Sequence, residues 1–263
     1  MKISVSNIGW NPGEDETVYR LMRDNGFTGL EIAPTRVIPE DPYDHIPEAV
    51  QFAEALRELY GFVIPSMQSI WYGRTEKLFG TEEERIRLTA YTKKAVDFAE
   101  AVGCPSLVFG CPKNRNLPEG ADPDTAVPFF RELGDYAARH HTVIAMEANP
   151  SLYHTNYINT TREALRLIRK VNSRGFRLNL DTGTMIENNE DLSVLQGSEE
   201  WIHHVHLSEP GLGPLQERPL HRELAAYLRS FSYPGFVSIE AARCGDPEAP
   251  AAMMRYVSWL FAS

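Results

Sequence analysis

The segment Val143-Ile144-Ala145-Met146-Glu147 runs as a short apolar strand and ends on a carboxylate. A buried parallel strand is expected to be aliphatic throughout. An unpaired buried carboxylate is costly, so a Glu in that place needs a cation or a proton donor. Related endings recur in Leu178-Asn179-Leu180-Asp181, His204-Val205-His206-Leu207 and Phe236-Val237-Ser238-Ile239-Glu240. Taken singly, each acid is more readily a salt bridge or a helix cap, but four polar strand endings in succession ask for one common explanation. Three carboxylates and one imidazole form an oxygen-rich donor set with one nitrogen, suited to Mn²⁺, Mg²⁺ or Co²⁺, with Zn²⁺ also accommodated. Three negative charges gathered at one point repel one another unless a divalent cation lies among them. Such a cation takes two adjacent oxygens of a polyhydroxylated substrate and stabilises the enediolate formed when a C–H beside a carbonyl loses its proton. Glu147 and Glu240 are then the catalytic pair, one removing a proton from one face and the other returning it to the opposite face.

Strand alternation points His204 and His206 to one side and His203 to the other. His206 lies nearer the strand end and is the expected ligand, together with Glu147, Asp181 and Glu240. His204, Asn179 and Ser238, one inward step below, are expected to support the ligands.

Eight strand-then-helix units can be read along the chain. Strands are expected at 2–7, 29–33, 62–69, 106–110, 143–149, 176–181, 202–207 and 236–240. Helices are expected at 15–26, 45–60, 82–102, 124–140, 161–171, 191–195, 220–231 and 248–261. Thr160 or Thr161 with Glu163 gives a capping signal, and Gly26 and Gly103 are placed to stop helices. Alternation of this kind implies a parallel sheet, and eight units predict an α/β fold, a single (β/α)8 TIM barrel over residues 1–263. An open doubly wound sheet would carry a glycine-rich fingerprint after its first strand, and Gly9-Trp10-Asn11-Pro12-Gly13 is not one. In the barrel, strands deliver catalytic groups at their C-terminal ends, where the four polar residues lie.

At 263 residues, 43% hydrophobic, the chain is long enough for one large core, and its formal net charge of −10 argues against nucleic acid as a partner. Cys104, Cys111 and Cys244 are odd in number and lack CxxC spacing, so a reducing compartment is expected. The opening Met1-Lys2-Ile3-Ser4-Val5 has no basic-then-apolar leader, and no apolar run reaches the ~20 residues of a membrane helix. A cytoplasmic protein with no membrane partner is expected, and a homo-oligomer stays open.

Met146-Glu147-Ala148-Asn149, Leu180-Asp181-Thr182-Gly183, His204-Val205-His206-Leu207-Ser208-Glu209 and Ser238-Ile239-Glu240 resemble, in order, the four metal-ligand segments of the xylose isomerase-like TIM barrel superfamily, its sugar phosphate isomerase/epimerase group. The resemblance covers nearly the whole chain and is strongest from Ile144 to Glu240. It implies Glu147, Asp181, His206 and Glu240 as ligands of a divalent metal, the two glutamates doubling as acid and base. The chain has Thr184 and Leu212 where D-tagatose 3-epimerase-like members carry His and Arg. Endonuclease IV is similar too, but its trinuclear zinc site needs histidines in the first half of the barrel, and this chain has only His45 before His140.

Further expected contacts to a small sugar or sugar derivative are Glu31 and Gln68 at strand ends, with His154, Glu209 and Arg243 in rim loops. Trp10 and Trp71 could stack on a sugar face or simply pack, and Lys113, Arg115 and Arg243 could hold a phosphate or carboxylate or be ordinary solvated charges. The expected activity is a metal-dependent carbohydrate isomerase or epimerase. The alternatives are a metal-dependent dehydratase or lyase on a cyclic polyol or keto acid, and a non-catalytic sugar-binding barrel.

Overall fold

Short aliphatic runs alternate with longer amphipathic ones, and the computed structural model, which describes residues 1–246 and 248–262, folds the first into strands and the second into helices. The strands are β1 (Lys2–Ser6), β2 (Gly29–Glu31), β3 (Ser106–Phe109), β4 (Val143–Glu147), β5 (Phe176–Asp181), β6 (Ile202–Leu207) and β7 (Phe236–Ile239). Around them lie α1 (Asp15–Asp24), α2 (Pro34–Val37), α3 (Ile46–Tyr60), α4 (Glu82–Val102) and α5 (Ala126–Arg139). Then follow α6 (Thr161–Val171), α7 (Thr182–Glu187), α8 (Pro219–Ser230) and α9 (Ala249–Val257). All strand pairs are parallel, in the order β2-β1-β7-β6-β5-β4-β3.

The eighth place belongs to residues 62–69, which the sequence predicts as a regular strand. The segment instead makes isolated bridges to both edges. On one side Leu30 N donates to Val63 O at 2.9 Å and Gln68 N to Ile32 O at 2.9 Å; on the other Met67 N donates to Ser106 O and Val108 N to Met67 O. Pro65, which has no N–H, stands where a continuous ladder would need a donor. The irregular segment nevertheless joins β2 to β3, and the sheet closes as a (β/α)8 TIM barrel.

Two helices also differ from the sequence reading. The turn at 191–195 is a 3-10 turn, Leu192–Leu195, and the helix nearest the site is α7, which begins directly after Asp181. The last helix is shorter than the expected 248–261: α9 ends at Val257 and passes into a π turn, Ser258–Ala262. The expected capping box forms at α6 with Thr160 and Glu163 and the expected left-handed Gly103 ends α4, whose start carries a further capping box of Thr81 and Glu84 not read from the sequence.

Ile3, Leu30, Leu107, Ile144, Leu180, Val205 and Val237 are buried between the sheet and the helices. The barrel interior is far more polar than the aliphatic layers usual for this architecture. Bonds cross it between strands that are not neighbours, from His204 on β6 to Glu31 on β2 and from His206 on β6 to Glu147 on β4. Gly175, before β5, allows the close approach of α5: a Cβ there would lie 2.0 Å from Gly134 O and 2.8 Å from Ala138 N. Both atoms are helix backbone and cannot yield easily. Gly175→Ala is therefore expected to lower stability by about 1–3 kcal/mol, seen as a lower urea midpoint at unchanged slope. Among the described residues no helix is long and apolar enough to cross a membrane.

Candidate functional site

The register of four consecutive strands brings the polar endings together. Asp181 pairs with His206, His206 with Ser238, and Glu240 follows two residues later on the same face; Glu147 pairs with Asn179. One ligand atom from each of Glu147, Asp181, His206 and Glu240 lies within 4.8 Å of the others, and all four residues are buried. His206 Nδ1 stands 3.0 Å from Glu147 Oε1 and 3.1 Å from Glu240 Oε2, while its Nε2 stands 2.9 Å from Glu31 Oε2.

Each member is held from behind. Asn179 Nδ2 donates to Glu147 Oε1 at 2.7 Å, and Asn149 Nδ2 donates to Oε2 at 2.8 Å. Thr184 N donates to Asp181 Oδ1 at 2.6 Å, so this acid also caps α7, and the Ser208 hydroxyl donates to Oδ2. Gly110 sits where a Cβ would come within 2.7 Å of Glu147 Oε2. Arg115 is fully buried beneath, donating to Glu147 O and Asn149 Oδ1, both at 2.9 Å, and to Ile158 O. It bolts the end of β4 in place and is neither a phosphate clamp nor a solvated charge.

The electrostatics are those of crowded acids. Burial and then the Glu147 charge push Asp181 up to about 6. Burial, with the charge of Glu147 adding and His206 opposing, pushes Glu240 up to about 7. Burial also raises the Glu147 carboxyl, but the hydrogen bond and charge of His206, then Asn149 and Arg115, outweigh it and hold this acid below the ordinary range. For His206, burial opposes the charged ring, and the carboxylates of Glu31, Glu240 and Glu147 overcome it and raise its pKa well above the ordinary value.

This donor set fits a hard divalent cation. Three buried carboxylates converge with Arg115 buried behind them, and burial together with the neighbouring carboxylates holds two of the acids toward the protonated form. With a cation bound and its remaining proton on Nε2, donated to Glu31, His206 would offer the Nδ1 lone pair to the same point as the carboxylate oxygens. Glu31 is thus the group that sets the ring's tautomer. Glu31→Gln is expected to weaken Mn²⁺ binding by roughly 10–100-fold, measured by calorimetric titration, while the fold persists.

Above the carboxylates lies a cavity of about 170 Å³ whose wall includes Gln68, Asn149, Tyr153 and Leu212 together with Glu147, Asp181 and Glu240. A larger hollow of about 690 Å³ lies on the outer face between α4 and α5, lined by Arg85, Ile86 and Phe129 among others, where no strand end reaches. The cavity at the strand ends is therefore the one that matters chemically.

Of the residues expected to touch substrate, Gln68 lines this cavity. Glu31 is fully buried under His206 and His204, taking the Ser66 hydroxyl as a further donor, and does not reach the wall. Glu209 is engaged by Arg218, whose Nε lies 2.8 Å from Oε1 and 2.9 Å from Oε2. Arg243 donates to Asn11 Oδ1 and lines a separate hollow, and His154 is exposed outside the wall. Trp10 and Trp71 are buried, their indole N–H groups given to Asp15 and Thr92. The sequence reading missed Asn149 and Tyr153 as cavity residues. Alternation could have found Asn149, two residues beyond Glu147; Tyr153 sits in a 3-10 turn, Ser151–Tyr153, with no periodic signal.

A protein-family model described as xylose isomerase-like TIM barrel matches residues 19–260. Among solved structures, the chain is similar to 3-keto-D-glucoside 4-epimerase from E. coli, at 22% identity and TM-score 0.78, covering 99% of this chain and 98% of that one. It is similar to D-psicose 3-epimerase from Clostridium cellulolyticum at 15% identity and TM-score 0.78, over 97% and 96% of the two chains. It is similar as well to the probable 3-DHS dehydratase of petrobactin synthesis from Bacillus anthracis, at 16% identity and TM-score 0.71, over 98% and 99%. A search of curated protein sequences finds no match. At these identities the structural likenesses speak to fold alone, and with the family match over most of the chain the conclusion is that this protein belongs to the xylose isomerase-like TIM barrel family.

Proposed function

We propose that the chain, acting as one domain, is a divalent-metal-dependent carbohydrate isomerase or epimerase that moves a proton through an enediolate. Glu147, Asp181, His206 and Glu240 are its metal ligands, and Glu147 and Glu240 its acid and base. The observation that carries this reading is the convergence of those four buried side chains on one point beneath the cavity. When bound, a divalent cation supplies Lewis-acid stabilisation of negative charge on the substrate oxygens.

The chain's own residues supply the rest. Glu147, held ionised by His206, Asn149 and Asn179, is the group ready to take a proton from carbon. Glu240, pushed up to about 7, is the group able to give one back. Two carboxyls whose surroundings drive them apart in this way divide the work of acid and base. Gln68 and Asn149 on the wall orient hydroxyls, and the burial of the site keeps bulk water from the exposed carbanion face. The named activities of the E. coli and Clostridium structures, both epimerases of keto sugars, agree with this reading.

The test is elemental analysis of the purified protein followed by solvent deuterium exchange into a panel of ketoses under the metal found. Exchange without loss of water supports the proposal. A new enone absorbance would assign the chain to the dehydratase alternative, and sugar binding without turnover in any divalent metal would make it a binding barrel.

A further inference from the structure

The cavity above the carboxylates is built without a cation. Its wall offers carboxylates, amides, a phenol and the apolar surfaces of Val108, Pro112 and Leu212; among the described residues no Lys, Arg or His lines it. That is not for want of arginines at this end of the barrel. Each one that follows a strand end is committed elsewhere: Arg36 to Asp15, Arg74 to Glu76, Arg218 to Glu209 and Arg243 to Asn11. Arg115 gives its two terminal nitrogens to Glu147 O, Asn149 Oδ1 and Ile158 O, while its buried Nε has no hydrogen-bond partner among the described residues. Lys77 donates to Lys113 O at 2.7 Å, and Lys113 and His154 are exposed outside the wall.

The charge balance points the same way. Glu147, Asp181 and Glu240 outnumber the two charges of a divalent cation, and Glu31 adds a fourth buried carboxylate. Arg115 is buried behind these acids and does not reach the wall. A phosphate or carboxylate on the substrate would enter a low-dielectric cavity lined by acids, with no cationic side chain of the described residues on the wall to offset its lost hydration. The volume, about 170 Å³, is that of five or six water molecules at ~30 Å³ each and suits a single small ring or chain.

From this, and resting on the carbohydrate reading of the same site, we infer that the substrate is uncharged: a free keto sugar or cyclic keto polyol, neither phosphorylated nor a keto acid. Discrimination arises from the missing cation on the wall, where Leu212 presents an apolar side chain.

Matched pairs test this with the Mn²⁺-loaded protein: D-fructose against D-fructose 6-phosphate, D-tagatose against D-tagatose 6-phosphate, and 2-keto-myo-inositol against 5-keto-D-gluconate. Binding is read by thermal shift and deuterium uptake by mass spectrometry in the same samples. The neutral member of each pair is expected to bind roughly tenfold or more tightly than the charged one, and Leu212→Arg to narrow that ratio. Neutral binding without deuterium uptake upholds the charge rule and removes the isomerase reading. Deuterium uptake from a phosphorylated ketose at a rate equal to its neutral partner overturns the charge rule and leaves the isomerase reading standing. An unchanged ratio in Leu212→Arg also overturns the charge rule, and failure of every neutral probe to bind overturns both.

Discussion

Glu147→Gln is expected to slow solvent deuterium exchange into substrate by roughly 10³-fold, within the range seen when a positioned acid or base is removed. The amide keeps the size of the carboxyl and an oxygen that can still face the site, so the fold should hold. The surroundings favour the Glu147 carboxylate, so the unliganded variant should melt somewhat lower than wild type while remaining folded. Metal must be kept saturating during the assay, which separates lost proton transfer from lost ligation. Glu240→Gln is expected to lose net epimerisation to a similar degree, because a proton taken from one face must be returned on the other, while exchange through Glu147 on its own face persists. A Glu147→Gln protein that exchanged at the wild-type rate would remove this residue from the chemistry.

The second large effect is a pH-dependent response to divalent cation. In the folded protein Asp181 and Glu240 titrate near 6 and 7, both above their ordinary values of 3.8 and 4.5. Acids raised in this way contribute stability that is present below the ordinary carboxyl values and is lost as pH rises through about 6 and 7. The contribution of these two acids to the stability of the cation-free protein should therefore fall between about pH 4 and 7. A cation needs the ionised forms, so its stabilisation should grow across the same window. Protons at pH 5 compete against the two acids by roughly a thousandfold in affinity. With Mn²⁺ at about a thousand times its dissociation constant at pH 8, the gain is about 4 kcal/mol, or roughly 8–16 °C in melting temperature. At pH 5 the same concentration should add about 1 °C. Differential scanning calorimetry at both pH values, with and without Mn²⁺, checks the sign and the size; equal shifts at the two would mean that the cation binds elsewhere.

Much of this architecture was legible in the amino-acid order, because period-two and helical patterns alternate cleanly and the four polar endings interrupt runs that packing would make aliphatic. What escaped has physical causes. Residues 62–69 look like a strand by composition, but Pro65 interrupts the ladder and only the closed barrel shows that isolated bridges suffice. The helix α7 is hidden because Thr182-Gly183-Thr184 reads as a loop, while its cap, Asp181, is also a candidate ligand. Alternation tells that Glu31 points inward but not how deep it lies. The stagger of a closed sheet sets that depth, and it puts Glu31 under His206 rather than beside the substrate. Arg115 was unreadable for another reason: its acceptors lie more than 30 residues away, on the two sides of the β4 loop.

That depth gives the site its order. An amide pair grips Glu147, a hydroxyl and a helix N-terminus grip Asp181, and Glu31 grips the imidazole. The candidate ligand atoms are thus held by hydrogen bonds from the protein itself, as a centre with little reorganisation to perform would require.

The most direct measurement is a crystal of this protein grown with Mn²⁺ and examined by anomalous scattering at the manganese edge. One strong peak is expected, bounded by oxygens of Glu147, Asp181 and Glu240 and by Nδ1 of His206. No peak there at saturating Mn²⁺, or a peak held by other residues, would contradict the account.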